Sequence, residues 1–224
     1  VPEPDDPGAA GVTALPQVRE LALPGRRPPL LLVPPGADED PAPRPLLVFL
    51  HGAGGTGEQG VPLLRGAAAA HGALALLTTS RGATWDLLLG RLGPDADALD
   101  AALDQVRAER AVGRLALGGF SDGASYALSL GLAAGDRYEA LLAFSPGFAA
   151  PPRRVGLPRA FVAHGTDDAV LPVERCGRPV ARDLRGRGHE VRYEEFRGGH
   201  VVPRPLVDAA LAWWLDGPAP ARGV

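Results

Sequence analysis

A chain of 224 residues, 46% of them hydrophobic and with a formal charge of −3 at pH 7, can bury one sizeable core but is short for two. That balance argues against a nucleic-acid binder and against charge-driven attachment to an anionic membrane, so no nucleic acid is expected as a partner. The single cysteine, Cys176, excludes an intramolecular disulfide.

In chain order, Val1 to Ala14, rich in Pro, Gly and acids, reads as a flexible tail, and Gly217 to Val224 reads likewise, leaving 15–216 as a single domain. The sequence starts at Val1 and holds no Met, so a removed signal peptide stays open: the expected compartment is the cytoplasm, with secretion as the alternative. No run of about 18 apolar residues occurs, and no integral membrane segment is expected. Strands are expected near 17–23, 29–33, 46–50, 73–79, 114–118, 139–145, 159–163 and 190–196. Helices are expected near 59–71, 95–110, 122–134, 173–187 and 203–215. The alternation predicts an α/β fold, a mostly parallel central sheet of about eight strands flanked by helices. Pro24-Gly25 leaves no room for a helix between the first two strands, which predicts an antiparallel hairpin there. Leu46-Leu47-Val48-Phe49-Leu50 has no polar residue and should be the central strand, buried on both faces. Cys176 reads as a packed small residue on a helix, since no glycine corner surrounds it as a catalytic thiol would require.

Ser121 stands in Gly119-Phe120-Ser121-Asp122-Gly123, where an expected strand turns into an expected helix. With 30 Gly in the chain the pattern alone is weak, and the serine could simply cap the helix; its position at a strand-to-helix corner favours a nucleophile. A nucleophilic hydroxyl needs a base, and the base needs an acid to hold its tautomer. On a sheet where such a corner forms, acid and histidine should follow on loops after later strands. After the strand at 159–163 the chain offers Asp167 and Asp168, either of which could serve as acid or merely form an Asx turn. Of the histidines beyond them, His189 precedes the last strand and lies at the wrong end of the sheet, whereas His200 follows it. The amide of Asp122, at the amino end of its helix, is placed to stabilise an oxyanion. A second donor is expected from His51-Gly52-Ala53-Gly54-Gly55-Thr56-Gly57, which lacks the Lys of a phosphate-binding loop.

The motifs Leu50-His51-Gly52-Ala53-Gly54, Gly119-Phe120-Ser121-Asp122-Gly123, His164-Gly165-Thr166-Asp167-Asp168-Ala169-Val170-Leu171-Pro172 and Gly199-His200 together resemble the α/β-hydrolase superfamily, and within it the phospholipase/carboxylesterase family of small serine esterases. The resemblance runs from about Pro45 to Leu215. It implies an α/β-hydrolase fold with a triad of Ser121, Asp168 and His200, the acid falling on Asp168 at the fifth position of the third motif. It also implies oxyanion amides from Ala53 and Asp122. Asp122 departs from the family's usual residue, which leaves the backbone amide in place and acyl preference open. Thr84-Trp85-Asp86 and Ala143 to Phe148 resemble a branch of predicted esterases, making Trp85 and Phe148, with Gly54, candidates to line the substrate site.

Only about a dozen residues separate the strand ending near Ser145 from the next, so no lid domain is expected and the site should be open. The expected activity is hydrolysis of short- to medium-chain carboxylic esters through an acyl-enzyme, on a small-molecule ester substrate. Alternatives on the same triad are lysophospholipids, thioesters, hydroxycinnamate esters, polyesters or peptides; a non-catalytic binding protein on this fold is the reading of another class. No cofactor and no metal are expected, since the histidines are scattered, and the protein is expected as a monomer or homodimer.

Overall fold

The computed structural model describes residues 14–23, 27–86 and 93–217. The expected tails, apart from Ala14 and Gly217, and the Pro24-Gly25 turn lie outside the described residues. The elements run β1 (Gln17–Glu20), β2 (Leu30–Val33), β3 (Arg44–Leu50), α1 (Val61–Ala70), β4 (Leu74–Thr78), α2 (Pro94–Glu109), β5 (Val112–Phe120), α3 (Asp122–Ala133), β6 (Ala140–Phe144), β7 (Arg159–Gly165), α4 (Gly177–Gly186), β8 (Val191–Phe196) and α5 (Arg204–Asp216).

The strands form one open sheet in the order β1-β2-β4-β3-β5-β6-β7-β8. β1 pairs antiparallel with β2, β2 antiparallel with β4, and β3 through β8 are parallel. The alternation along β3 sorts the core into two layers. Leu46, Val48 and Leu50 pack with Leu99 and Leu103 of α2, Ala127 and Leu128 of α3 and Leu184 of α4, whereas Leu47 and Phe49 join Leu64 of α1 and Val207, Leu211 and Trp214 of α5. β3 is thus apolar on both faces because both faces are covered.

From β3 the chain crosses to β4 on one side, and it then enters β5 on the other side of β3. The loops leaving β3 and β5 diverge at this switch of direction, the place at the carboxyl edge where a sheet of this kind has its ligand crevice. The glycine loop follows β3 directly, and Ser121 follows β5 directly.

The expected helix over 173–187 begins later, at Gly177. Pro179 is the reason: in a helix running from 173 its ring would meet the carbonyl of residue 175, whereas a start at Gly177 puts it in the first turn, where its missing N–H costs nothing. Cys176 therefore precedes α4 rather than lying on it; its thiol is buried, and burial together with the charge of Asp168 pushes its pKa up, away from thiolate chemistry.

Candidate active site

Ser121 has φ 58° and ψ −117°, a backbone region costing about 1–3 kcal/mol for a residue with a side chain. The surroundings hold it there. Its amide donates to Phe144 O at 2.9 Å and its carbonyl accepts from Ser125 N at 3.0 Å. The flanking glycines are required by contact: a Cβ on Gly123 would lie 2.3 Å from the carbonyl oxygens of both Leu50 and His51, and one on Gly119 would lie 2.6 Å from the Gly123 carbonyl. Strand, corner and helix are stacked too closely for any side chain at either position.

His200 lies on the loop after β8, and Asp168 on the loop after β7. Ser121 Oγ lies 2.8 Å from His200 Nε2, and His200 Nδ1 lies 2.6 Å from Asp168 Oδ2. The other carboxylate oxygen of Asp168 accepts from the amides of Val170 at 2.9 Å and Leu171 at 2.8 Å. A carboxylate accepts only, so Nδ1 carries the imidazole proton and Nε2 is left to accept from the serine hydroxyl. Asp168 is buried, and burial works against its charge, yet the hydrogen bonds from Leu171, His200 and Val170 prevail and hold its pKa below the ordinary carboxylate value. Asp167 is exposed, and its amide donates to Gly198 O at 2.9 Å. His189 is buried before β8 with Nδ1 2.8 Å from Pro158 O, remote from the imidazole of His200.

Neither the Asp122 amide nor the Ala53 amide is taken by an acceptor among the described residues. Asp122 opens α3, so its N–H belongs to the positive end of the helix. Ala53 lies in an exposed turn drawn against the corner: a Cβ on the preceding Gly52 would sit 3.4 Å from Ser121 Cβ. Gly54 has φ 69°, and its amide is already given to Ala83 O at 2.7 Å, so it offers no donor to a ligand.

Trp85 does not line the crevice. It is 1% exposed, its Nε1 donates to His51 O at 2.9 Å, and its ring packs against His51 and Tyr126 at centroid distances of 4.9 and 5.2 Å. Its indole is spent beneath the glycine loop, with apolar and polar ends both satisfied inside. Phe148 remains 36% exposed on the loop after β6, and Val170 and Val201, from the loops after β7 and β8, are 65% and 52% exposed. Residues 145–158 contain no helix.

Several contributors escaped the sequence reading. The Phe120 ring lies 4.7 Å from the His200 ring and flanks it. Ser125 Oγ donates to Ser121 O at 3.1 Å and accepts from Gly147 N at 2.9 Å, while Ser129 Oγ accepts from Ala150 N at 2.9 Å. These two hydroxyls, one helical turn apart, tether the Phe148 loop to α3. His164 is fully buried; its Nε2 donates to Leu171 O at 2.7 Å and lies 3.4 Å from Asp168 Oδ2, fixing the loop that presents the acid. A serine on a helix or a histidine inside a strand carries no sequence signal of such contacts, because the partners are distant in the chain.

An array of this kind can transfer a proton from the hydroxyl to imidazole as the oxygen attacks an electrophilic carbon, with amides at hand for the negative charge that develops. The strand order and the strained corner, with the likeness to solved esterases, mark an enzyme of the hydrolase class with the α/β-hydrolase fold. The likeness extends to solved proteins. The chain is 25% identical to esterase PE8, with a TM-score of 0.63 over 83% of this chain and 96% of that one. It is 19% identical to the Bacillus cereus carboxylesterase, with a TM-score of 0.66 over 84% and 93% of the two chains. It is 20% identical to acyl-protein thioesterase 2 of Zea mays, with a TM-score of 0.61 over 86% and 98%. No protein-family model and no curated protein matches the sequence. Among the described residues no helix is long and apolar enough to cross a membrane.

Proposed function

We propose that the protein is a serine carboxylesterase that hydrolyses short- to medium-chain carboxylic esters through an acyl-enzyme. Ser121 Oγ bonds to the ester carbonyl carbon while its proton passes to His200 Nε2. The carbonyl oxygen takes up the negative charge, met by the amides of Ala53 and Asp122. Collapse breaks the bond to the leaving oxygen, which receives the proton from His200 and departs as the alcohol. Water then gives a proton to His200 and attacks the acyl carbon; the proton returns to Ser121 Oγ as the carboxylic acid leaves. Asp168 holds the imidazole and offsets its transient charge.

The observation that carries this reading is the unbroken run of hydrogen bonds from Ser121 Oγ through His200 to Asp168, at 2.8 and 2.6 Å, on a strained strand-to-helix corner. Phe148, Val170 and Val201, exposed on the loops after β6, β7 and β8, offer apolar surface for an acyl or alcohol group of modest area. The test is Ser121→Ala assayed on p-nitrophenyl acetate and butyrate beside a panel of thioesters and hydroxycinnamate esters. Hydrolysis should fall by more than about 10³-fold on every substrate the native enzyme cleaves. Undiminished turnover by the folded variant would overturn the proposal.

A further inference from the structure

The two oxyanion donors of the proposed mechanism stand on different segments, and the inference drawn here rests on that reading. The Asp122 amide is fixed by α3, whereas Ala53 lies in an exposed turn with no hydrogen bond of its own among the described residues. Its neighbours are held instead by the segment 80–85. The Ser80 amide donates to His51 Nε2 at 3.0 Å, Trp85 Nε1 donates to His51 O at 2.9 Å, and Gly54 N donates to Ala83 O at 2.7 Å. His51 is kept neutral for this by burial, which lowers its pKa. The same segment returns to the corner. Thr84 Oγ1 and the Trp85 amide, the latter at 3.2 Å, both donate to one oxygen of the Asp122 side chain, Oδ2.

We propose that Asp122 acts through its side chain as a positioning residue, locking the Ala53 half of the oxyanion site to the Asp122 half by way of segment 80–85. The contacts form a chain: the Asp122 side chain holds residues 84 and 85, residue 83 holds Gly54, and Gly54 is bonded to Ala53. A negative side chain at the first position of α3 suits the helix dipole but opposes an oxyanion forming beside it. The useful property is therefore the acceptor oxygen rather than the charge. Both donors converge on Oδ2, so an amide oxygen can replace it.

That argument separates two substitutions. Asp122→Asn keeps the acceptor and removes the charge; Asp122→Ala removes both and leaves Thr84 and Trp85 without a partner. Misplacement of one oxyanion donor costs between about tenfold and a few hundredfold in turnover. In Asp122→Ala, kcat for p-nitrophenyl butyrate should fall about 10- to 100-fold with KM changed by less than about threefold, and labelling by a fluorophosphonate should slow in parallel. Asp122→Asn should lose at least about fivefold less kcat than Asp122→Ala. Thr84→Val, which leaves the corner untouched, should lower kcat in the same sense, and it decides alone should Asp122→Ala not fold. Native-like kcat in Asp122→Ala, or equal losses in the Ala and Asn variants, would overturn the proposal. The Ser121→Ala control distinguishes the two failures. An inactive Ser121→Ala beside a native-like Asp122→Ala rejects the brace alone, while an active Ser121→Ala rejects the mechanism and the brace with it.

Discussion

Replacing Asp168 by Asn changes one atom of the acid and, by the geometry around it, should invert the role of His200. Oδ1 of Asp168 accepts from Val170 N at 2.9 Å and Leu171 N at 2.8 Å, and Oδ2 faces His200 Nδ1 at 2.6 Å. An asparagine has one acceptor and one donor to place in those two positions. Turning its NH2 toward the two amides would leave both N–H groups unpaired, at about 1–3 kcal/mol each, or about 2–6 kcal/mol together. The oxygen therefore stays with Val170 and Leu171, and the NH2 points at Nδ1. Nδ1 must then accept, the ring proton moves to Nε2, and Nε2 can no longer take the proton of Ser121. At about 1.4 kcal/mol per factor of ten, the productive arrangement is depopulated roughly 30- to 2 × 10⁴-fold. The assay is kcat/KM on p-nitrophenyl butyrate at pH 8, with thermal unfolding to confirm that the fold survives. Asp167→Asn serves as the control and should stay within about threefold of the native value, since Asp167 is exposed and does not meet the imidazole. An Asp168→Asn enzyme retaining a third or more of native kcat/KM, or an Asp167→Asn enzyme losing as much, would refute the reasoning.

Three further outcomes follow from the contacts of Gly123, Ser125 and Glu195. Gly123→Ala places a Cβ 2.3 Å from two backbone carbonyls, so the β3 loop must shift; thermal unfolding should drop by about 5–10 °C and turnover by at least tenfold, while unchanged values would show the corner to be roomier than drawn. Ser125→Ala strips Gly147 N of its acceptor and frees the Phe148 loop, and substrate-series kinetics should show KM for butyrate rising several-fold more than KM for acetate. Glu195, paired with Arg178 at 2.7 and 2.9 Å, has its pKa lowered to about 2, first by that hydrogen bond, from an ordinary 4.5. A lowered carboxylate pKa gives stability that is complete above 4.5 and lost as the pH falls toward 2, so the small deficit of Glu195→Gln in thermal unfolding at pH 7 should vanish by about pH 2 and shrink in high salt. A deficit that persists at pH 2 would assign the loss to packing instead.

The strands and the order of the chemical residues were legible because both are written in local pattern. The apolar run of β3, the glycine corner after β5 and the positions of Asp168 and His200 after β7 and β8 need no knowledge of distant contacts. One helix start was not legible, that of α4, which begins at Gly177 rather than near 173 because Pro179 has to fall in the first turn. The Trp85 assignment failed for another reason. An aromatic residue in a loop after a strand can face the crevice or support it, and only the indole N–H finding His51 O decides between them. The side-chain role of Asp122 was hidden likewise, since its partners lie 37 and 38 residues away in sequence.

The corner at Ser121 is held only in part by its own helix, through Ser125. Its amide rests on Phe144, and the space that admits Gly123 is bounded by the carbonyls of Leu50 and His51, so three separate strands must be in register before the torsions of Ser121 become the lowest in energy. In a chain with β3 and β6 undocked, the serine relaxes to ordinary torsions and its hydroxyl loses both aim and partner. Recovery of activity on refolding is therefore a clock for assembly of the central sheet: helices formed early leave the enzyme silent, and turnover should return only with the last of β3, β5 and β6 to dock.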